Sequence, residues 1–320
     1  MGFKQRKIIG HRKQLEIIAK SINSGKVFPV WIFSGADGIG KTSVAYKFAK
    51  CLLADLDSVN ENLDIPDDSK IHNWVDNRTH PDFFVMDGAS SSIDEARILM
   101  GKVCKAPSLS KRRVVIIENA DRLNKNICNS LLKILEEPPR DTVFILVCAN
   151  VGGMPITLLS RAIKLKFSPL SQAEVELALS LFDVGNASVL ASIADGSVGD
   201  ALYLHENNGV DLFQNFLNAF SSDYETSNKV VKHIISNKLC DNFSLIKQLI
   251  IRVLKIYTDT ITEIKVDDHF SEFIGRVSID REMKKVLQVI SNLNRGEALM
   301  LDKNGLVAEA FEIFFERYEI

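Results

Sequence analysis

Residues 27–33 form a short, nearly all-apolar run, and Gly35-Ala36-Asp37-Gly38-Ile39-Gly40-Lys41-Thr42 follows it almost at once. The eight residues fit G-x-x-x-x-G-K-[ST] at every fixed position, and helical periodicity begins at Lys41. This order leaves few folds open. A short apolar run of this kind is the pattern of a parallel strand buried on both faces. The glycines let successive backbone N–H groups curl around an anion, and a helix N-terminus adds partial positive charge. Lys41 would then reach the β- and γ-phosphates of a nucleotide, and the Thr42 hydroxyl would ligate Mg²⁺. Gly35, Asp37, Gly38, Gly40, Lys41 and Thr42 are the candidate contacts, with ATP and Mg²⁺ as the expected ligands. A loop that is intact but unused fits the same residues.

The rest of the N-terminal half repeats the alternation. Residues 11–22 carry Leu15, Ile17, Ile18 and Ile22 at helical spacing. Helices are expected over 41–54, 93–103 and 124–136, the last with Asn124 as N-cap and Pro138 as stop. Strands are expected over 83–86, 114–117, 142–148 and 162–167. Residues 55–77 are polar and read as an irregular surface insertion. Strand–helix alternation means a parallel α/β sheet with helices on both faces. It stops near residue 167. A capping box, Ser171 with Glu174, then opens a helical stretch. Long helices are expected over 243–264 and 281–293, and another over 306–315. The expected organisation is an α/β nucleotide-binding domain over 1–167, a small helical domain over 168–208, and an all-helical C-terminal domain over 209–320.

Composition excludes several classes. The 46% hydrophobic and 25% charged content is that of a globular protein. A net charge of -2 gives little long-range attraction to a nucleic-acid backbone. The five cysteines, Cys51, Cys104, Cys128, Cys148 and Cys240, never fall in a CxxC spacing. That argues against a disulfide framework and against zinc, and buried thiols are expected at each. Residues 1–6 are basic but lack a signal peptide's apolar stretch. No run of about 18 apolar residues suggests a membrane span. The expected location is the cytoplasm.

A phosphate loop that hydrolyses ATP needs a carboxylate strand. Val114-Val115-Ile116-Ile117 ends in Glu118-Asn119. Glu118 is long enough to help hold Mg²⁺ through water. Asn119 stands where a general base would be, and an amide cannot serve as one. Losing such a base typically costs about 10²–10⁴ in rate. Asp121 is offset by two residues and reads as a local cap or ion-pair partner. Lys111-Arg112-Arg113 and Arg122 with Lys125 are either solvated loop charges or contacts for DNA phosphates. Phe311, Phe314 and Phe315 are either core or interface.

Longer segments are more specific. Asn129-Ser130-Leu131-Leu132-Lys133-Ile134-Leu135-Glu136-Glu137-Pro138-Pro139 closely resembles N-x-L-L-K-x-L-E-E-P-P of the bacterial clamp-loader AAA+ subunits. Gly10-His11, the phosphate loop, His80-Pro81-Asp82 and Ile93-Asp94-Glu95-Ala96-Arg97 occur in the order found in the family's delta-prime branch. Pro155 to Arg161 is similar to the family's P-x-x-I-x-S-R-C stretch, with Ala162 in place of the cysteine. The resemblance covers about residues 8–205.

It implies an AAA+ domain, a helical lid and a C-terminal collar. It puts Arg161 where the family places an arginine finger that completes a neighbour's ATP site, a contribution of about 10³–10⁵ in rate. Asn150 falls near the sensor-1 position, and Gly199 occupies the slot of the sensor-2 arginine. The zinc module common in the delta-prime branch is absent, with residues 55–77 in its place. The implied partners are the delta and gamma/tau subunits, and through the complex the sliding clamp and primed DNA. Two roles remain open: a stator that does not hydrolyse ATP, and a hydrolytically active gamma/tau-type subunit.

Overall fold

The computed structural model describes residues 7–152 and 154–220, with scattered positions between 246 and 310. The chain divides into two compact units, residues 1–202 and 203–320.

The first unit is built on five parallel strands: β1 (Val30–Ser34), β2 (Phe83–Asp87), β3 (Arg113–Glu118), β4 (Thr142–Cys148) and β5 (Ile163–Lys166). Their order is β2-β3-β4-β1-β5. Successive strand side chains point to opposite faces, so each apolar run supplies two cores. Trp31, Phe33, Val114, Ile116, Val143 and Ile145 join Phe48 and Val44 in one. Val30, Ile32, Val115, Ile117, Phe144 and Leu146 join Leu99, Ile127 and Leu131 in the other. All seven residues of β4 are buried. That is why these runs lack alternation in the sequence.

The helices are α1 (Arg12–Asn23), α2 (Lys41–Leu53), α3 (Lys70–Asp76), α4 (Ile93–Val103), α5 (Lys125–Glu136), α6 (Ile156–Arg161), α7 (Gln172–Leu179), α8 (Ala187–Ile193) and α9 (Val198–Glu206). Local chemistry sets their starts. The Asn124 side chain accepts from the Ile127 N–H and caps α5, and Ser171 with Glu174 forms the capping box of α7. A second capping box, Ser92 with Glu95, opens α4.

Four sequence readings are corrected or completed. Residues 55–77 contain a helix, α3, whose N-cap is Ser69 and whose buried face is His72 and Val75. The segment is tied to α2 by Lys50–Asp76 (2.6 Å) and Lys47–Asp64 (2.8 Å). Residues 156–161, assigned no element from the sequence, form α6, which ends at Arg161. Arg113 is no solvated loop charge: its guanidinium is buried beside Asp82 (3.5 Å) and donates to the carbonyls of Val103, Lys105 and Ala106. Asp82 in turn accepts from the N–H groups of Ser108, Leu109 and Ser110, so the pair organises the α4–β3 connection. Finally, Cys104 is exposed and Cys128 half-buried, whereas Cys51 and Cys148 are buried. Burial pushes the Cys51 thiol up to about 12 and the Cys148 thiol up to about 11, so both stay protonated at neutral pH.

The second unit contains α10 (Gly209–Phe220), with Leu212 and Phe213 buried. Described positions between 246 and 253 are helical. Most of the helices expected over 243–264, 281–293 and 306–315, together with Phe311, Phe314, Phe315 and Cys240, lies outside the described residues; the described positions 288, 289, 291, 292, 306 and 310 are helical. Among the described residues no helix is long and apolar enough to cross a membrane.

Candidate functional site

All five strands run the same way, so their C-terminal ends share one edge, where open α/β sheets bind ligands. Register puts Ser34 beside Cys148 and Asp87 beside Glu118. The connection from β1 to α2 is the glycine loop. Gly38 and Gly40 have φ of 73° and 104°, a left-handed backbone that L side chains rarely adopt. The loop thereby turns the N-terminus of α2 toward a cavity of about 640 Å³. Asp37, Gly38, Gly40, Lys41, Thr42, Glu118 and Asn119 line one part of it. Ile8, Ile9, Leu170, Leu181 and Phe182 make another part apolar.

Lys41 is nearly fully buried. Its Nζ donates to the carbonyls of Gly35 (2.6 Å) and Ala36 (2.5 Å) and lies 3.6 Å from Asp37. Burial draws its pKa down, against the pull of the Asp37 carboxylate. Asp37 also meets Arg122 at 3.3 Å. Arg122, read from sequence as a solvated or DNA-facing charge, is therefore attached to the loop. His11 closes the loop from outside, its Nε2 2.7 Å from the Ile39 carbonyl. Burial lowers its pKa, more than its partners raise it. A neutral ring with the proton on Nε2 suits that contact.

Glu118, at the end of β3, is mostly buried. Its Oε2 lies 3.7 Å from Arg78, whereas its Oε1 is buried without a hydrogen-bond partner. Burial pushes its carboxyl up, against Arg78 and the Tyr46 hydroxyl. An orphaned carboxylate oxygen facing a glycine cradle with Lys41 and Thr42 fits a nucleotide and its Mg²⁺. The loop N–H groups and Lys41 would hold phosphate, while Thr42 and Glu118 would hold the ion, which supplies charge neutralisation when bound. Asn119 lines the same cavity, but its Nδ2 donates to Asp87 Oδ1 at 2.7 Å. Among these residues none offers a carboxylate at the general-base position.

The remaining predicted residues lie elsewhere. Asn150 is exposed and absent from the cavity lining; its Oδ1 accepts from Gly152 N–H. Asp121 fixes this strand end by accepting from the N–H groups of Ala149 and Asn150, both 3.1 Å. Arg161 is exposed, and its Nη1 donates to the Glu136 carbonyl at 2.8 Å. Gly35 borders the loop, and its amide donates to Cys148 O.

Two participants had no sequence signal. Arg78 directly follows the stretch read as irregular and was assigned no role, and Gly199 makes a contact that its reading as an empty arginine slot does not reveal. Gly199 N–H donates to Gly38 O at 2.9 Å, and Ser197 Oγ to Asp37 O at 3.2 Å. A Cβ on Gly199 would lie 2.7 Å from Gly38 Cα. The position that the resemblance reads as an empty sensor-2 slot makes a glycine-on-glycine contact that seats the start of α9 on the phosphate loop.

A family profile described as DNA polymerase III, delta subunit, matches residues 10–171, just over half of the chain. The chain belongs to this clamp-loader family. The member described here is 30% identical over 212 residues to the DNA polymerase III subunit gamma of Buchnera aphidicola subsp. Schizaphis graminum, covering 63% of this chain and 57% of that one. It is 32% identical over 206 residues to the subunit tau of Bacillus subtilis, covering 62% and 36%. This clamp-loader chain therefore matches less than two thirds of the length of those curated relatives. Among solved structures, a gamma subunit-related protein of Thermotoga maritima aligns with TM-score 0.52 at 16% identity, over 95% of this chain and 99% of that one. At that identity the likeness is one of fold: a parallel α/β sheet of the AAA+ kind.

Proposed function

We propose that this clamp-loader subunit is of the delta-prime type: it holds nucleotide without turning it over and serves as a stator beside active ATPase subunits. The observation that carries the reading is Asn119. It stands beside the metal-position carboxylate, has no proton-accepting oxygen charge, and spends its amide on Asp87. The Gly199–Gly38 contact adds that no arginine reaches the phosphates from α9. Each removes a separate contribution to hydrolysis, and loss of a base alone costs about 10²–10⁴ in rate.

In this reading the apolar side of the cavity takes the base of ATP and the loop takes its phosphates. Residues 168–208 act as a lid and 209–320 as a collar. Arg161, exposed at the end of α6, is lent to the ATP site of a neighbouring gamma/tau-type subunit. The partners are delta, gamma/tau and, through the complex, the sliding clamp on primed DNA, all in the cytoplasm.

The second reading is an active gamma/tau-type ATPase subunit. The intact phosphate loop and the gamma and tau relatives favour it. Reconstitution separates the two. Arg161→Ala should leave this chain folded and able to join delta and gamma-type subunits, yet slow the ATPase and clamp loading of the complex by about 10³-fold at the affected site. Unchanged loading removes Arg161 from this role. Equal loss from Lys41→Ala in this chain would favour the active-subunit reading.

A further inference from the structure

Arg78 occupies a backbone position that glycine normally fills. Helix α3 ends at Asp76 with Asn77 as its C-cap. Arg78 N–H then donates to Val75 O (3.0 Å) and Thr79 N–H to Trp74 O (2.8 Å). That is a Schellman turn, whose left-handed residue is usually glycine. Arg78 has φ of 54° there, a conformation that strains an L side chain. A strained residue invites a question about what its side chain does. This one reaches the nucleotide cavity's acidic strand end: Nη2 stands 3.7 Å from Glu118 Oε2, and the Tyr46 hydroxyl faces both.

The other acids around the cradle are already balanced. Asp37 meets Lys41 and Arg122. Asp87 accepts from Asn119 and from Ser90 Oγ. Asp121 accepts two backbone N–H groups. Glu118 is the remaining buried carboxylate on the cavity wall. Next to a triphosphate it would repel strongly unless a cation stood by it, because a buried charge is tolerated only when paired.

We propose that Arg78 is a built-in counter-ion for Glu118, and that it lets the cradle hold a nucleoside triphosphate with little dependence on Mg²⁺. The inference rests on the nucleotide reading of the loop and adds what balances its charge. It also suits a subunit that keeps nucleotide rather than cleaving it, since Mg²⁺ is needed most where charge develops during phosphoryl transfer.

The test is binding of a fluorescent N-methylanthraniloyl-ATP probe to the full chain, in Mg²⁺ and in EDTA. Wild type should bind within about threefold in the two buffers. Arg78→Gly relieves the strained backbone, which offsets part of the loss of Glu118's partner, and circular dichroism checks that the variant is folded before binding is read. It should lose about tenfold or more in EDTA while changing less than about threefold in Mg²⁺. Arg78→Lys should restore the wild-type pattern. Wild-type binding that needs Mg²⁺ by about tenfold or more, or an Arg78→Gly chain that keeps its affinity in EDTA, overturns the counter-ion role. If wild type binds no probe in either buffer, the nucleotide reading itself fails and takes this one with it.

Discussion

The amide of Asn119 donates to Asp87 Oδ1 at 2.7 Å, across the paired ends of β3 and β2. Asp87 is held below the usual carboxylate range, first by that amide, then by the Ala89 N–H and the Ser90 hydroxyl. The residue that would prime water in an active site is here one half of an amide–carboxylate pair. The acid of that pair lies on the neighbouring strand, outside the cavity lining.

Asn119→Asp should therefore be penalised rather than gain activity. It would set two carboxylates against each other at hydrogen-bonding distance, which costs about 1–2 kcal/mol at neutral pH. Adding Asp87→Asn exchanges the two chemistries and should recover most of the loss. Urea denaturation of the two variants and wild type checks this. Equal stability of Asn119→Asp and wild type would show that the contact is not maintained in solution.

The α9 contact makes an opposite prediction to simple gap-filling. Restoring a cation by Gly199→Arg should not create a phosphate contact, because the added Cβ would lie 2.7 Å from Gly38 Cα. The variant should lose thermal stability and weaken nucleotide binding together. Gly38→Ala should behave alike, since its Cβ would lie 2.2 Å from Ser197 Oγ at φ of 73°; a strained left-handed residue alone costs about 1–3 kcal/mol. A melting scan with and without ATP reads both effects.

Asp82 predicts the acid behaviour. Burial pushes its carboxyl up, but the N–H groups of Ser110, Ser108 and Leu109 and the Arg113 guanidinium outweigh it and leave the group below the usual carboxylate range. A depressed folded value means its stabilisation is fully present above the ordinary carboxylate pKa and is lost as pH falls through the folded one. Asp82→Asn should cost about 3 kcal/mol at pH 7, because it leaves Arg113 buried without its charge partner. That deficit should shrink in acid. Denaturant midpoints between neutral and acid pH measure it; a deficit that stays constant into strong acid would contradict the pairing.

What was legible in the sequence follows a physical rule. The sheet was readable because strands buried on both faces are plain apolar runs, as in β3 and β4. The cradle was readable because a tight anion loop restricts its residue types within eight positions. Helix α3 was not, since two buried residues, His72 and Val75, are too few to show a period. Arg113 looked like surface charge because its partner, Asp82, is distant in sequence; Arg122 is a surface charge, and its pairing with Asp37 went unread for the same reason. Arg78 was invisible for the same reason: its partner Glu118 lies on another element. Gly199 was read as a missing arginine; that its bare backbone packs on Gly38, leaving no room for a Cβ, was not readable because Gly38 is distant in sequence.

The central claim is that this cradle takes up ATP while the chemistry beside it lacks a base. Single-turnover hydrolysis of ATP by the purified full chain, at saturating protein and with Mg²⁺ present, tests it most directly. Bound ATP should persist, with a rate at least about 10²-fold below the ~1 s⁻¹ of a slow ordinary enzyme. Cleavage at about 1 s⁻¹ or faster would contradict the account.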